Sequence, residues 1–333
     1  MKEKILRALR EHQNGYVSGA ALCEQFGVSR QAVWKNITAL KENGYEIESV
    51  SNKGYRLISS PDKLYAPDIL SRISDSCLCK KVECFESLDS TNIKAKQLAE
   101  LGEEEGALVV AEEQTAGKGR RGRGWASEAG TGIYMTLLLR PKLSPHRVSG
   151  LTLLAALAVT QAIREVCGVE ARIKWPNDVI IAKKKICGIL TEMSSEENYI
   201  HYVVVGIGIN VNAEAFPKEI EDIATSVFLQ TGSKVNRCEL TASVVQHFCR
   251  YYEAFCKEQD LRSVIEEYDA VLANRDKEVK VYYGMVEHAT PEQTDTGIAR
   301  GIDSEGALLV EIDGSIKRIL SGEVSVRGLY GYV

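Results

Sequence analysis

Apolar positions in the first 43 residues recur at helical spacing. Ile5, Leu6 and Leu9 make one stripe, and Ala21, Leu22 and Phe26 make a second. Val33, Ile37 and Leu40 stand at i, i+4 and i+7 of a third helix, expected from Arg30 to about Asn43. Gly27-Val28-Ser29 is a tight connection before it, with Ser29 as N-cap, and Gly44 is a stop. From Glu46 to Leu57 apolar residues alternate about an Asn52-Lys53-Gly54 turn, which reads as a hairpin. Three helices and a hairpin predict a winged helix-turn-helix over 1–60. Ser29, Arg30, Gln31, Lys35, Asn36 and Lys53 are the candidate DNA-contacting residues, because such side chains reach phosphates and base edges. The competing reading is a three-helix module for protein contacts.

Pro61 and Pro67 bracket an expected linker, and 61–83 as a whole is expected as linker and entry to a body at 84–273 where strand and helix patterns mix. Asp89-Ser-Thr-Asn opens a helix to about Leu101, and capping alone could account for Ser90 and Thr91. Gly106 to Ala111, Ile133 to Leu139 and Tyr202 to Asn210 read as strands, with an apolar core helix at 147–167. Two strands joined by a Lys-rich turn follow from Arg172, and Pro176 breaks the first to present Lys174, Asn177 and Asp178. Gly206 and Gly208 inside a strand predict a ligand or backbone passing closely. Helical patterns return from Glu239 to about Leu272. Glu278–Val286, Thr296–Ile302, Ala307–Ile312 and Ile316–Leu320 then alternate between Gly and Asp turns, as in a small β-barrel over 274–333.

A length of 333 residues allows two domains, or three if one is small. A hydrophobic fraction of 44% and a charged fraction of 26% indicate globular domains rather than disorder. The longest nearly apolar run, Leu151 to Val159, is far short of the roughly 20 residues of a membrane span. The N-terminus lacks the apolar run of a signal peptide, so a cytoplasmic protein is expected. Nine cysteines without a Cys-x-x-Cys pair do not make a disulfide framework. Cys77, Cys79 and Cys84 read as reduced thiols near a strand rather than a fragment of a metal site. The five scattered histidines support no catalytic triad or zinc site. Residues 1–60 carry a net +3 and the remainder a net −8, so the head alone is suited to an anionic partner.

The most unusual segment is Gln114-Thr-Ala-Gly-Lys-Gly-Arg-Arg-Gly-Arg-Gly-Trp125, with four cations and four glycines between positions 117 and 124. It contains Gly117-x-Gly119-x-x-Gly122, formally a dinucleotide fingerprint, but a strand follows where that motif requires a helix. A flexible loop carrying Lys118, Arg120, Arg121 and Arg123 suits clamping an anion.

Asp89-Ser-Thr-Asn92, the Gly117–Trp125 loop, Lys174-Trp-Pro-Asn-Asp178, Lys185-Ile-Cys-Gly188-Ile-Leu and Gly206-Ile-Gly-Ile-Asn210 occur in the order seen in biotin protein ligases. With its winged head the chain resembles the bifunctional members of that family, the biotin operon repressors. The resemblance implies an α+β protein with three parts: the head, a mixed α/β catalytic domain of class II synthetase-like fold, and an SH3-like β-barrel ending in the pattern Gly322-Glu-Val-Ser325. It implies that biotin and ATP, with Mg²⁺, form biotinyl-5′-adenylate, and that biotin passes to a lysine of the biotin carboxyl carrier protein of acetyl-CoA carboxylase. It also implies operator DNA and a homodimer formed on adenylate binding, with no membrane partner. By resemblance Ser90, Thr91, Asn92, Gln114, Lys118, Gly119, Arg120, Lys185 and Gly188 would hold biotin. Arg121, Arg123, Trp125, Lys174, Asn177 and Asn210 would hold the nucleotide, with Lys185 and Arg120 catalytic. Lys118 departs from the arginine of the familiar bacterial pattern and loses its planar fork. A non-catalytic ligand-sensing transcription factor and a ligase with a vestigial head are the alternatives. A sensor without chemistry would not need the phosphate cations.

Overall fold

Serine caps start two of the three helices of the head. The computed structural model describes residues 1–12, 15–283, 293–321 and 324–328, with backbone alone at 324, 325, 327 and 328. The first helix is α1 (Lys2–Glu11). Ser18 Oγ accepts from the Ala21 amide at the start of α2 (Gly19–Phe26), and Ser29 Oγ accepts from Ala32 at the start of α3 (Arg30–Glu42). Ile5, Leu6, Leu9, Leu22, Val33, Ile37 and Leu40 form one buried cluster, as their spacing predicts. The hairpin is β1 (Glu46–Val50) paired with β2 (Gly54–Ser59). Its turn has Asn52 at φ 63°, a left-handed position that Asn tolerates.

The segment expected as linker and entry is an ordered seam. It carries α4 (Ala66–Arg72), with Pro67 in the first turn, where a missing N–H breaks no helical bond. Asp68 is completely buried and accepts from Arg10 Nη2 at 2.8 Å, Arg72 Nε at 2.7 Å and the Tyr45 hydroxyl at 2.6 Å. Arg7 donates to the carbonyls of Leu70 and Ile73 at 2.9 and 3.0 Å. The head is thus bolted to the seam through side chains on α1.

The body is a seven-stranded sheet. Its strands are β3 (Lys81–Leu88), β4 (Ala107–Gln114), β5 (Gly132–Leu139), β6 (Arg172–Lys174), β7 (Asp178–Ile181), β8 (Lys184–Glu196) and β9 (Tyr199–Asn210). Their spatial order is β3-β4-β5-β9-β8-β7-β6, parallel only between β3 and β4. Both faces are covered, so the inner strands read as continuous apolar runs. Val203, Val205 and Ile207 face the main core with α6 (Ser149–Cys167). Val204 and Tyr202 face Ala95 and Leu98 of α5 (Thr91–Glu100) on the other side. The apolar stretch from Pro145 to Cys167 is, by length and composition, long enough to cross a membrane, which the shorter run counted from sequence does not register. Residues 151 and 153–159 along it are each at most 1% exposed, so it packs as the body's core helix.

After the sheet come α7 (Val227–Thr231), α8 (Arg237–Glu258) and α9 (Ile265–Val271). Arg237 is 2% exposed and ties the seam to the sheet. It meets Glu112 at 2.6 Å and Asp62 at 3.1 Å. Cys77, expected as a reduced thiol, is instead disulfide-bonded to Cys249 of α8. The seam folds back across α8, and a separation of 172 residues hides that contact in the sequence. Cys79 and Cys84 are free thiols that burial pushes up to about 12.

The C-terminal unit is an antiparallel ladder of β10 (Glu278–Tyr283), β11 (Thr294–Ile302), β12 (Leu308–Ile312), β13 (Ser315–Ile319) and β14 (Val324–Gly328), in the order β13-β12-β11-β10-β14. The end of the expected strand 278–286 and the Gly322-Glu323 pair lie outside the described residues.

Candidate active site

The site lies where α5, the end of β4, the glycine loop, the start of β8 and the end of β9 meet. Ser90 is the N-cap of α5, yet its side chain makes no capping bond, so capping does not account for it. Thr91 donates from its amide and hydroxyl to Gln114 Oε1 at 2.9 and 3.0 Å. Thr136 Oγ1 lies 2.8 Å from Thr91 Oγ1 and 2.7 Å from Asn92 Oδ1. Asn92 Nδ2 donates to Leu190 O at 3.3 Å and to Glu192 Oε2 at 2.7 Å, and Lys96 donates to Glu192 Oε1 at 2.6 Å. Ser90, Thr91 and Asn92 are buried. Gly206 backs this floor, because a Cβ there would come within 2.1 Å of Asn92 Oδ1. Side chains come close to both strand glycines, Asn92 to Gly206 and the Trp125 indole to Gly208, and both glycines line the smaller of two cavities.

The glycine loop folds on itself through Gly119 N to Arg123 O at 2.7 Å and Trp125 N to Gly117 O at 2.9 Å. A left-handed turn at Arg121 and Gly122, φ 57° and 71°, makes this possible. Arg120 donates to Asn177 Oδ1 at 3.0 Å and to Ser321 O at 2.7 Å, so one side chain ties loop, Trp-Pro-Asn turn and C-terminal unit together. Burial and the neighbouring Arg121 push Arg120 below the ordinary guanidinium range, against the pull of Asp178. The Trp175–Pro176 bond is cis and turns β6 into β7, presenting Asn177 and Asp178 as the sequence predicts. Lys185 Nζ lies 2.6 Å from Asp178 Oδ1 and 5.3 Å from the Trp125 ring centroid.

Two cavities share this wall. A tight one of about 50 Å³ is lined by all nine residues expected at biotin, from Ser90 to Gly188. A roomier one of about 300 Å³ is lined by all six expected at the nucleotide, including Lys174 and Asn210. Gly119, Arg120, Trp125, Asn177 and Lys185 line both. An open cleft of about 830 Å³ adjoins them, running from Arg120 and Asn177 past His146 and Ser149 to Met193 and Ser321. Among the described residues, Asp178 is the sole carboxylate on either of the first two cavity walls.

On the head, Ser29, Arg30, Gln31, Lys35 and Lys53 are exposed. Asn36 is half-buried and donates to Ala32 O at 2.8 Å, so its amide nitrogen serves the helix. Sequence reasoning passed over Trp34, which is 60% exposed on the polar side of α3. It also missed Thr136 and Glu192, whose neighbours along the chain give no sign of the site.

The helix-turn-helix (HTH) domain profile matches residues 2–56, the biotin/lipoate A/B protein ligase family 84–210, and the biotin protein ligase C terminal domain 285–327. The bifunctional ligase/repressor BirA of Bacillus subtilis is 39% identical over 329 residues, 98% of each chain. Its Escherichia coli counterpart is 30% identical, covering 93% of this chain and 92% of that protein. Among solved structures, the biotin protein ligase from Aquifex aeolicus in complex with biotin and ATP aligns with a TM-score of 0.64 and 33% identity, over 75% of this chain and 99% of that one. A chain with a winged head, this two-cavity site and near-full-length similarity of that degree belongs to the family of bifunctional biotin ligases and repressors.

Proposed function

We infer that the protein is an ATP-dependent biotin protein ligase that also represses transcription in response to biotin. One observation carries the reading: Lys185 stands in the wall common to the two cavities, where a carboxylate from one side would meet a phosphate from the other. Biotin's carboxylate attacks the α-phosphate of ATP, forming a carbon–oxygen–phosphorus anhydride and releasing pyrophosphate. A carrier-protein lysine then attacks the carbonyl and AMP leaves. The obstacle in the first step is charge: two anions at 4 Å repel by about 1 kcal/mol in water and about 4 kcal/mol at an effective dielectric of 20. Lys185 and Arg120 offset this as charge builds on the phosphoryl oxygens. The buried polar floor takes the ureido ring, and Arg121, Arg123, Trp125, Lys174, Asn177 and Asn210 surround the nucleotide. The glycine loop shields the anhydride from water. The open cleft beside Arg120 is the approach for the acceptor lysine of a biotin carboxyl carrier protein.

Mg²⁺ accompanies ATP in this reading and neutralises phosphate charge. Among the described residues a single carboxylate, Asp178, lines these two cavities and no carboxylate, cysteine or histidine cluster could hold a metal, which fits an ion held chiefly by phosphates and water. Domain limits of 1–60, 61–83, 84–273 and 274–333 divide the labour between DNA, seam, chemistry and cap. The exposed Ser29, Arg30, Gln31, Lys35 and Lys53 face operator DNA, two heads being paired by dimerisation on adenylate binding. ATP, a carboxylase carrier and DNA are all met in the cytoplasm, which is where we place the protein. Biotin-dependent exchange of labelled pyrophosphate into ATP tests the first half-reaction; no exchange above a biotin-free control refutes it.

A further inference from the structure

The floor of the smaller cavity is short of hydrogens. Three close oxygen–oxygen contacts run across it: Gln114 Oε1 to Thr91 Oγ1 at 3.0 Å, Thr91 Oγ1 to Thr136 Oγ1 at 2.8 Å, and Thr136 Oγ1 to Asn92 Oδ1 at 2.7 Å. Two hydroxyl hydrogens serve those three contacts. Neither amide can turn to supply another. Gln114 must present oxygen to the Thr91 amide N–H, and its nitrogen is engaged with Ser127 Oγ at 3.0 Å. Asn92 must point its nitrogen at Glu192, because an ionised carboxylate only accepts. Glu192 pairs with the Lys96 ammonium at 2.6 Å; burial works against its charge, but hydrogen bonds from Lys96 and Asn92 together with the charges of Lys96 and Lys118 hold its pKa below the usual carboxylate value. Whichever way the two hydroxyls rotate, one contact lacks a hydrogen, and the cavity face offers lone pairs.

We propose that Glu192 and Thr136 are positioning residues that keep this floor hydrogen-poor and so select a ligand ring presenting N–H donors. The inference rests on the ligase reading, in which that ring is biotin's cyclic urea with its two N–H groups. Thr136 is completely buried beneath Thr91 and Asn92 and touches the ligand space only through them. Glu192 sits two positions along β8 beyond Leu190, the last residue of that strand on the cavity wall, and is braced by Lys96. Replacing Glu192 by glutamine, with Lys96 holding the glutamine oxygen, sets its nitrogen against Asn92 Nδ2; only the longer 3.3 Å bond to Leu190 O then opposes a turn of the Asn92 amide that places an N–H where the floor now has a lone pair.

The test uses the full-length protein. Biotin KM and kcat are measured by pyrophosphate exchange, and affinities for biotin and for a cyclic carbamate analogue, with one urea N–H replaced by oxygen, by calorimetry. E192Q is expected to raise biotin KM about tenfold, the scale for losing a hydrogen bond to a charged partner, with kcat lowered less than about threefold. Its preference for biotin over the carbamate should shrink. T136V should do the same, and T136S should behave like wild type. Unchanged biotin KM and undiminished preference in both E192Q and T136V overturn the proposal. So does a uniform fall of kcat and melting temperature at constant KM, which marks a structural role alone. A wild-type protein that binds no biotin overturns the ligase reading itself, and is recognised without any variant.

Discussion

Replacing Lys185 by alanine removes one cation from the wall between the two cavities. The backbone is held independently of the side chain. Lys185 N donates to Ile223 O at 2.7 Å, and its carbonyl accepts from Thr225 N at 2.9 Å. The truncation therefore leaves β8 in place. A unit charge about 4 Å from a developing phosphoryl charge contributes about 4 kcal/mol at an effective dielectric of 20. Lys185 is 26% exposed, so solvent screens part of this. Losing a preorganised donor at a transition state costs about 10²–10³ in rate, and that is the expected loss in adenylation. Biotin affinity, measured by calorimetry, should change little, since the floor residues are untouched. One confounding effect is built into the geometry, because Asp178 loses its partner at 2.6 Å. The double variant K185A/D178N separates the two: if Lys185 acts on phosphate, removing the carboxylate charge does not restore exchange. Pyrophosphate exchange near the wild-type rate in K185A refutes the role, as does full recovery in the double variant.

Arg120→Ala severs the tie from the glycine loop to Asn177 and Ser321, so adenylate should leak into solvent faster than from wild type, read by chromatography of the free nucleotide. Arg237→Ala leaves Glu112 and Asp62 without their buried cation and should destabilise the fold by about 3–5 kcal/mol, visible in denaturant unfolding. Deleting residues 1–60 should abolish DNA binding while adenylate synthesis stays detectable. The same deletion removes Arg10 and Tyr45 from buried Asp68, so the truncated body should melt at a lower temperature than the intact protein. Gel-shift titration should find tighter binding to a palindromic operator when biotin and ATP are present, with sedimentation reporting a dimer. Equal affinity in both states removes the switch.

The head was almost wholly readable, because its core positions repeat at helical spacing and its caps and turn residues are local signals. The cation-rich glycine loop and the Lys-Trp-Pro-Asn-Asp turn were readable for a different reason: their residue types have few structural uses in that density. What stayed hidden depends on contacts distant in sequence. Thr136 looks like one more strand residue within an apolar run, and only the fold brings it under Thr91, 45 positions earlier. Glu192 lies near the middle of a long strand and reads as surface charge until Asn92 is seen beside it. Pro67 looked like a linker mark, since a proline in the first turn of a helix and a proline in a loop share the same local signature. The Cys77–Cys249 pair has no spacing signal at all.

The central claim is that one wall joins biotin to AMP and holds the product. Purified protein incubated with biotin, ATP and Mg²⁺, passed through a desalting column and examined by native mass spectrometry, tests it most directly. The expected result is a protein carrying the mass of one biotinyl-adenylate, formed with one equivalent of pyrophosphate and discharged on adding a biotin carboxyl carrier domain that gains biotin on lysine. A protein that retains biotin or ATP unreacted, with no pyrophosphate released, contradicts it.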